Sequence, residues 1–274
     1  MILCKFSFIY RVYKQQNAFL IMGFWPVVEN VIKKSDIIIL VADARMPQLS
    51  RNKEIERKIA NSGKNTVLVF NKIDLILPTD LQNLKKSNPD AFFISVKKQK
   101  GITELKKSLE RLGVSAHTTE PKVGVVGYPN VGKSSVINAL AERASTAISP
   151  IAGTTRGFQW VKVGNLLVID SPGVIPLEDK NIKLGLIAAK NPEKMGSPEK
   201  VAIEIINMFL EKSPEALKTH YKLNSENLNQ DAYDILLEIG KKRGYLTKGN
   251  IVDETKTSIQ IIREWQTGKL GFNP

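Results

Sequence analysis

Residues 127–134 read Gly-Tyr-Pro-Asn-Val-Gly-Lys-Ser, between an apolar run at 122–127 (KVGVVG) and an amphipathic stretch at 133–142. No other feature constrains the chain as much, because the pattern G-x-x-x-x-G-K-S/T does its work only as the turn between a strand and a helix. Its glycines let backbone N–H groups curl around a β-phosphate, while the Lys133 ammonium neutralises β- and γ-phosphate oxygens. The Ser134 hydroxyl is the expected ligand of Mg2+, and the helix N-terminus adds its dipole. Asn130, Val131, Gly132 and Ser135 complete the set expected to touch the phosphates.

Around this loop, short β-branched runs alternate with amphipathic stretches, as in a parallel sheet covered by helices. The fold class is α/β. Strands are expected at 37–43, 66–71, 92–95, 122–127, 158–163 and 166–170, each mostly apolar, as a strand buried on both faces is. Helices are expected near 51–62, 80–87, 102–112 and 133–142, with the polar, Pro-terminated 113–121 as a linker between two strand–helix blocks. After residue 178 the strand signal stops, and apolar residues recur at helical spacing: Val201, Ile205, Met208 and Phe209, then Ile235, Leu236 and Ile239. A parallel-sheet domain over 22–178 and an all-helical domain over 179–274 follow. Ser197-Pro198 and Ser213-Pro214 read as helix starts, Asn229 or Asp231 as a cap, and Gly268 as the end of a last helix beginning near 254.

A phosphate loop accepts ATP and GTP alike, so the choice of base rests on Asn71-Lys72-Ile73-Asp74, at the end of strand 66–71. This tetrapeptide resembles the guanine-specificity motif NKxD. A carboxylate at Asp74 accepts hydrogen bonds from the N1–H and 2-amino group of guanine, whereas adenine has neither donor there and would leave the acid unpaired. Asn71 and the stem of Lys72 would tie the base to the phosphate loop. Ser95-Val96-Lys97 resembles the SAK element that offers a backbone N–H to guanine O6, with Val96 in the Ala place. Asp170-Ser171-Pro172-Gly173 resembles DxPG, in which the Asp holds the Mg2+ shell and the Gly N–H meets the γ-phosphate. Gly153-Thr154-Thr155-Arg156 resembles a switch-one segment, with Thr155 reaching Mg2+ and the γ-phosphate. Taken singly, the Asn/Asp and Ser-Pro-Gly segments are also ordinary turn sequences. A P-loop kinase or ATPase would leave Asn71 and Asp74 without a purpose.

The elements run in an unusual order: base motif, SAK-like element, phosphate loop, switch one, DxPG. Ordinary GTPases begin with the phosphate loop. That rotation, the Asp43-Ala44-Arg45-Met46-Pro47 stretch and the GYPNVGKS loop together resemble the YlqF/YawG family of circularly permuted GTPases, over about residues 24–274. The helical stretch Ile239-Gly240-Lys241-Lys242-Arg243-Gly244 is also similar. The resemblance implies a P-loop GTPase fold and slow GTP hydrolysis with Lys133, Thr155 and Gly173 at the γ-phosphate. It also implies GTP/GDP and Mg2+ as ligands and work on the large ribosomal subunit precursor and its rRNA. Asn130 matches an Asn that ligands K+ in related cation-dependent GTPases. Val174 follows Gly173 where many small GTPases carry a water-orienting Gln. The His proposed for that task in bacterial relatives has no counterpart, since the two histidines are His117 and His220. A slow-turnover, GTP-controlled binding module acting on another RNA or on a protein is the alternative. Asp43-Ala44-Arg45 reads equally as a functional motif or as a strand-end ion pair, and the Lys241-Lys242-Arg243 run as RNA-facing or as a solvated helix end.

Charge bears on the partner. Forty Lys and Arg against 27 Asp and Glu give a net charge of +13. Residues 1–178 hold 25 basic and 14 acidic groups, so nearly all the surplus lies there. Such a surface favours polyanions through counterion release, nucleic acid being the commonest; the resemblance implies that this is rRNA, with no DNA expected. The lone Cys4 excludes an intramolecular disulfide, and no Cys/His spacing suggests zinc. No apolar run approaches the roughly 20 residues of a membrane helix, so the expected setting is the cytoplasm with no membrane partner. Residues 1–21 match nothing downstream and read as an extension that is not native, with Met22 as the start.

Overall fold

The structure is a computed structural model that describes residues 25–115, 119–142, 160–171, 173 and 181–273. Six strands form one sheet: β1 (Ile37–Asp43), β2 (Asn65–Asn71), β3 (Phe92–Phe93), β4 (Lys122–Val126), β5 (Trp160–Val163) and β6 (Leu166–Asp170). Their spatial order is β3-β2-β1-β4-β6-β5. All pairs are parallel except the β5–β6 hairpin, which turns at Asn165 and Gly164. The chain moves outward from β1 to β3, returns to the middle at β4, and then builds the other half. The direction reverses between β1 and β4, and in an open parallel sheet the crevice above the carboxyl ends of the strands at that point is where ligands bind.

The period of two in β1 divides the core. Ile37, Ile39 and Val41 pack with α4 (Ile102–Ser115) and α5 (Lys133–Glu142). Ile38 and Leu40 pack on the other face with α1 (Trp25–Lys34) and α2 (Lys53–Ser62). Three layers result, with β1 buried at every residue. The second helix starts where Asn52 Oδ1 accepts from the N–H groups of Glu54 and Ile55. Between β2 and β3 lies α3 (Pro78–Ser87), whose Pro78 stands in the first turn, where its missing N–H costs nothing.

The structure adjusts several expected boundaries. Strand pairing at 92–95 stops at Phe93, because Ser95 turns to bridge Lys100. Helix α4 continues to Ser115, with Leu109 and Gly113 still buried, so the linker is shorter than 113–121. The first two residues of the expected strand 158–163 lie outside the described residues. Helix α1 was not expected. Its Val28, Val31 and Ile32, at i, i+3 and i+4, cover the sheet.

From residue 181 the described chain is helical: α6 (Asn181–Leu186), α7 (Pro198–Lys212), α8 (Pro214–Tyr221), α9 (Ala232–Arg243) and α10 (Glu254–Thr267). Pro198 and Pro214 open their helices as the sequence suggests. Asp231, not Asn229, caps α9, its carboxylate accepting from Tyr233 and Asp234 N–H. These helices share a core of their own around Val201, Ile205, Phe209, Leu236, Ile261 and Trp265. Its centre is aromatic, with the Phe209 ring edge-on to Trp265 at 5.9 Å and tilted on Phe272 at 4.6 Å. Side chains of that size contribute about 1.5–3 kcal/mol each on full burial, which makes Trp265 the main anchor of α10.

Candidate functional site

Parallel strands end on one edge of the sheet, and the chemistry-bearing residues are at those ends. Asp43 closes β1 and Asn71 closes β2. The phosphate loop follows β4, and the Asp170 backbone closes β6, in register beside Val125. A cleft of about 590 Å³ opens above them, within the usual range for a small-molecule site. Asn71, Lys72, Asp74, Val96, Lys97, Asn130, Gly132, Lys133, Ser134 and Ser135 of the sequence-derived set line it. Ser95 and Val131 lie just behind, both buried.

The buried Asn71 amide links three segments. Its Nδ2 donates to the Val131 carbonyl at 3.1 Å, and its Oδ1 accepts from the N–H of Lys72 at 2.8 Å and more weakly from that of Val96 at 3.4 Å. The loop passes so close that a Cβ on Gly132 (φ 99°) would stand 2.3 Å from Asn71 Nδ2. Lys72 is itself left-handed, φ 67°. Its ammonium donates to Asp43 Oδ2 at 2.7 Å and to the Asn130 carbonyl at 2.9 Å. The base motif and the phosphate loop thus form one unit. Asp74 is aimed by Ser95, whose hydroxyl donates to Asp74 Oδ1 at 2.6 Å while Ser95 Oγ accepts from Lys98 N–H.

At the phosphate end, Lys133 Nζ donates to the Tyr128 carbonyl at 2.8 Å across the loop. Asn130, at φ 59°, donates through Nδ2 to the Ala188 carbonyl at 2.5 Å, which ties the loop to the turn after α6. Gly173 passes against the loop from the other side. A Cβ there would lie 2.5 Å from Pro129 N, so only glycine fits. Thr155, with the whole 153–156 segment, and Val174 and His117 lie outside the described residues. His220 is in α8, bonded to Glu264 at 2.8 Å, and does not line the cleft.

Two groups of residues enrich this picture. Asp43 and Arg45 form a buried pair: Arg45 Nε donates to Oδ1 at 3.0 Å and Nη2 to Oδ2 at 2.8 Å. Burial pushes the Asp43 carboxyl up, but the Arg45 guanidinium and the Lys72 ammonium outweigh it and hold the group well below the usual carboxylate range. Burial also depresses Lys72, against the pull of Asp43. Of the two readings the sequence left open for Asp43-Ala44-Arg45, the ion pair is the one seen, and it reaches the base motif through Lys72. The second group, Leu75, Gln266, Thr267 and Gly268, lines the base side of the cleft. Sequence reading missed it; only the helix-ending Gly268 marked the place.

The chain is similar to known proteins over most of its length. A family model described as RsgA GTPase matches residues 25–179, and one described as 50S ribosome-binding GTPase matches residues 122–239. Ribosome biogenesis GTPase A of Priestia megaterium is 32% identical over 263 residues, covering 89% of this chain and 90% of its own length. GDP-bound YlqF from T. maritima superposes with a TM-score of 0.60 at 20% identity, covering 89% of this chain and 95% of that one. The chain belongs to the YlqF/YawG family of circularly permuted GTPases. The uncharacterized GTP-binding protein MJ1464 of Methanocaldococcus jannaschii is 36% identical over 248 residues. The chain spans 65% of that protein and 59% of GTPase grn1 of Schizosaccharomyces pombe, so several of its curated relatives are considerably longer. In this chain the early base motif, at the end of β2, and the later phosphate loop, after β4, meet in one cleft because β1 lies between those strands and pairs with both.

Proposed function

We propose that the chain binds GTP and GDP in this cleft, hydrolyses GTP slowly, and acts in the assembly of the large ribosomal subunit by nucleotide-gated binding to rRNA. The observation that carries the reading is the convergence of Asn71, Lys72 and Asp74 with Gly132, Lys133 and Ser134 on one cleft. A P-loop without the carboxylate would accept either purine; Asp74, pointed by Ser95, favours guanine. Val96 and Lys97 line the same cleft, and the Val96 N–H, which here makes only a long 3.4 Å bond to Asn71 Oδ1, would turn to the base carbonyl. Lys133, Gly173 and Thr155 act at the γ-phosphate.

Mg2+ is the metal this donor set suits. Mg2+ commonly rests on few protein oxygens and on the phosphates themselves, and the hydroxyl and carboxylate groups that these motifs supply are oxygen donors. Ser134 and Asp170 would hold it, together with Thr155. Bound there, it would offset charge on the β- and γ-phosphate oxygens. Asn130 would supply an oxygen to K+ beside the same phosphates.

The names of the relatives, Ribosome biogenesis GTPase A among them, support a role in ribosome assembly. The residue range 22–178 serves as the G domain and 179–274 as the helical, RNA-facing domain. No helix among the described residues is long and apolar enough to cross a membrane. Single-turnover GTP hydrolysis in K+ and in Na+, with and without purified large ribosomal subunits, tests the reading. Stimulation by subunits, larger in K+, is expected. Absence of stimulation in every condition, with guanine binding intact, would favour the slow binding module, for which His220 lying outside the cleft already speaks.

A further inference from the structure

The last helix does not end in solvent. Its final turn and the residues after it, Trp265–Phe272, run across the base side of the cleft and fasten to the loop that carries Asp74. Phe272 N–H donates to the Leu75 carbonyl at 2.9 Å, one residue after Asp74. Gly268, in the left-handed conformation that ends α10 (φ 70°), sits so close that a Cβ would be 2.8 Å from Leu75 Cδ1. A Cβ on Gly271 would be 3.0 Å from Leu75 Cδ2. Gln266 and Thr267 form the adjoining wall of the cleft, across from Lys72 and Asp74.

Both ends of this segment are anchored to the G domain or its neighbours by buried groups. Arg45, fully buried, donates through Nη1 to the Trp265 carbonyl and lies over the Trp265 ring at 4.0 Å. A permanent cation thus meets the carbonyl end of α10, where the helix dipole favours it. Trp265 Nε1 donates to the Leu186 carbonyl at 2.7 Å, and Gln266 Nε2 to that of Lys190 at 2.9 Å. Ser213 Oγ donates to the Phe272 carbonyl at 2.8 Å. The strap is therefore stiff, and it is held by the same Arg45 that grips Asp43, the partner of Lys72.

We infer that Trp265–Phe272 is a specificity-positioning strap of the guanine pocket: the helical domain holds the Leu75 loop so that the Asp74 carboxylate meets the 2-amino edge of the base. This rests on the guanine reading of the cleft. Its consequence is that whatever the helical domain binds acts on nucleotide affinity from the base side of the cleft.

Inosine diphosphate, which lacks the 2-amino group, isolates the effect. In the wild-type full chain GDP should bind at least about tenfold more tightly than IDP, the worth of a hydrogen bond to a charged acceptor. Gly268→Val wedges Leu75 and strains the backbone. Gly271→Val, whose site has no left-handed constraint, wedges the same side chain more gently. With folding checked by thermal melting, both variants should lose GDP affinity more than IDP affinity, bringing the ratio to within about threefold. A GDP/IDP ratio that stays at the wild-type value in both folded variants, whether or not the two affinities fall together, overturns the strap. Wild-type protein that binds ADP as tightly as GDP would overturn the guanine reading itself, and the strap with it.

Discussion

Two buried carboxylates, Asp43 at the end of β1 and Glu264 in α10, are built alike and serve different parts of the molecule. Each accepts several hydrogen bonds and each is almost wholly enclosed. Asp43 is held by the permanently charged Arg45 and by the Lys72 ammonium, and through them it joins the Trp265 carbonyl to the base motif. Glu264 takes its bonds from His220 at 2.8 Å, Tyr221 at 2.8 Å and Gln260 at 2.9 Å, with Arg243 farther off at 3.7 Å. All four partners belong to the helical layer. A buried charge costs several kcal/mol unless it is paired, so removing one partner from either centre is destabilising. What differs is the owner of the partners: the Asp43 centre fixes a residue that faces the cleft, whereas the Glu264 centre only holds α8, α9 and α10 together.

The sharpest way to separate them is Arg45→Met. It leaves Asp43 with Lys72 as its one charged partner, beside the backbone N–H of residue 45, and removes the cation from the end of α10. Breaking such a pair costs about 3–5 kcal/mol, and denaturant unfolding should register a loss of that order. GDP affinity should fall as well, since Lys72 must then compensate Asp43 unaided. Retained GDP affinity in the folded fraction would mean that the Asp43 centre is as remote from the cleft as the Glu264 centre. Next in size is Asp74→Asn. Asn Oδ1 still accepts from Ser95, so stability should stay within about 1 kcal/mol, while GDP affinity drops about a hundredfold and xanthosine diphosphate becomes the better ligand. Calorimetric titration with both nucleotides checks the exchange.

How far each centre could be read in advance follows from the range of its contacts. Asn71, Lys72, Asp74 and the phosphate loop were legible because each is a local pattern whose chemistry fixes residue type and spacing. Asp43-Ala44-Arg45 was half legible: Arg45 returns to a residue two positions back, which a strand-end ion pair predicts, but its link to Trp265 spans 220 residues. No periodicity encodes such a contact. The same holds for the strap, where Gly268 announces a helix end and says nothing of Leu75. Glu264 and His220 belong to this class too, since they meet across 44 residues from different helices. Helix α1 was missed for a different reason. Its apolar face is only Val28, Val31 and Ile32, short enough to pass for the approach to β1. The rotated motif order, by contrast, was legible as a circular permutation, although the sheet order itself came only with the structure.

Glu264→Gln is the smaller counterpart of the Arg45 change. The amide keeps an acceptor but loses the charge, so stability should fall by about 1–3 kcal/mol while GDP affinity stays within about twofold. The backbone cap that Glu264 gives Gly268 is independent of its side chain. A parallel fall in GDP affinity would erase the distinction between the two centres. The gentlest probe is pH. Burial would raise the Glu264 carboxyl, but hydrogen bonds from His220, Gln260 and Tyr221 bring it down from 4.5 to about 2. Because the folded value is the lower one, its contribution is fully present above pH 4.5 and is lost as pH falls from there through about 2. The denaturation midpoint of the wild-type chain should therefore decline across that window, and the Gln variant should show a shallower decline. Asp43 is also held low, so the difference between the two slopes, rather than either slope alone, measures the Glu264 centre. Identical slopes would mean that Glu264 keeps an ordinary carboxylate and that its hydrogen bonds add nothing beyond packing.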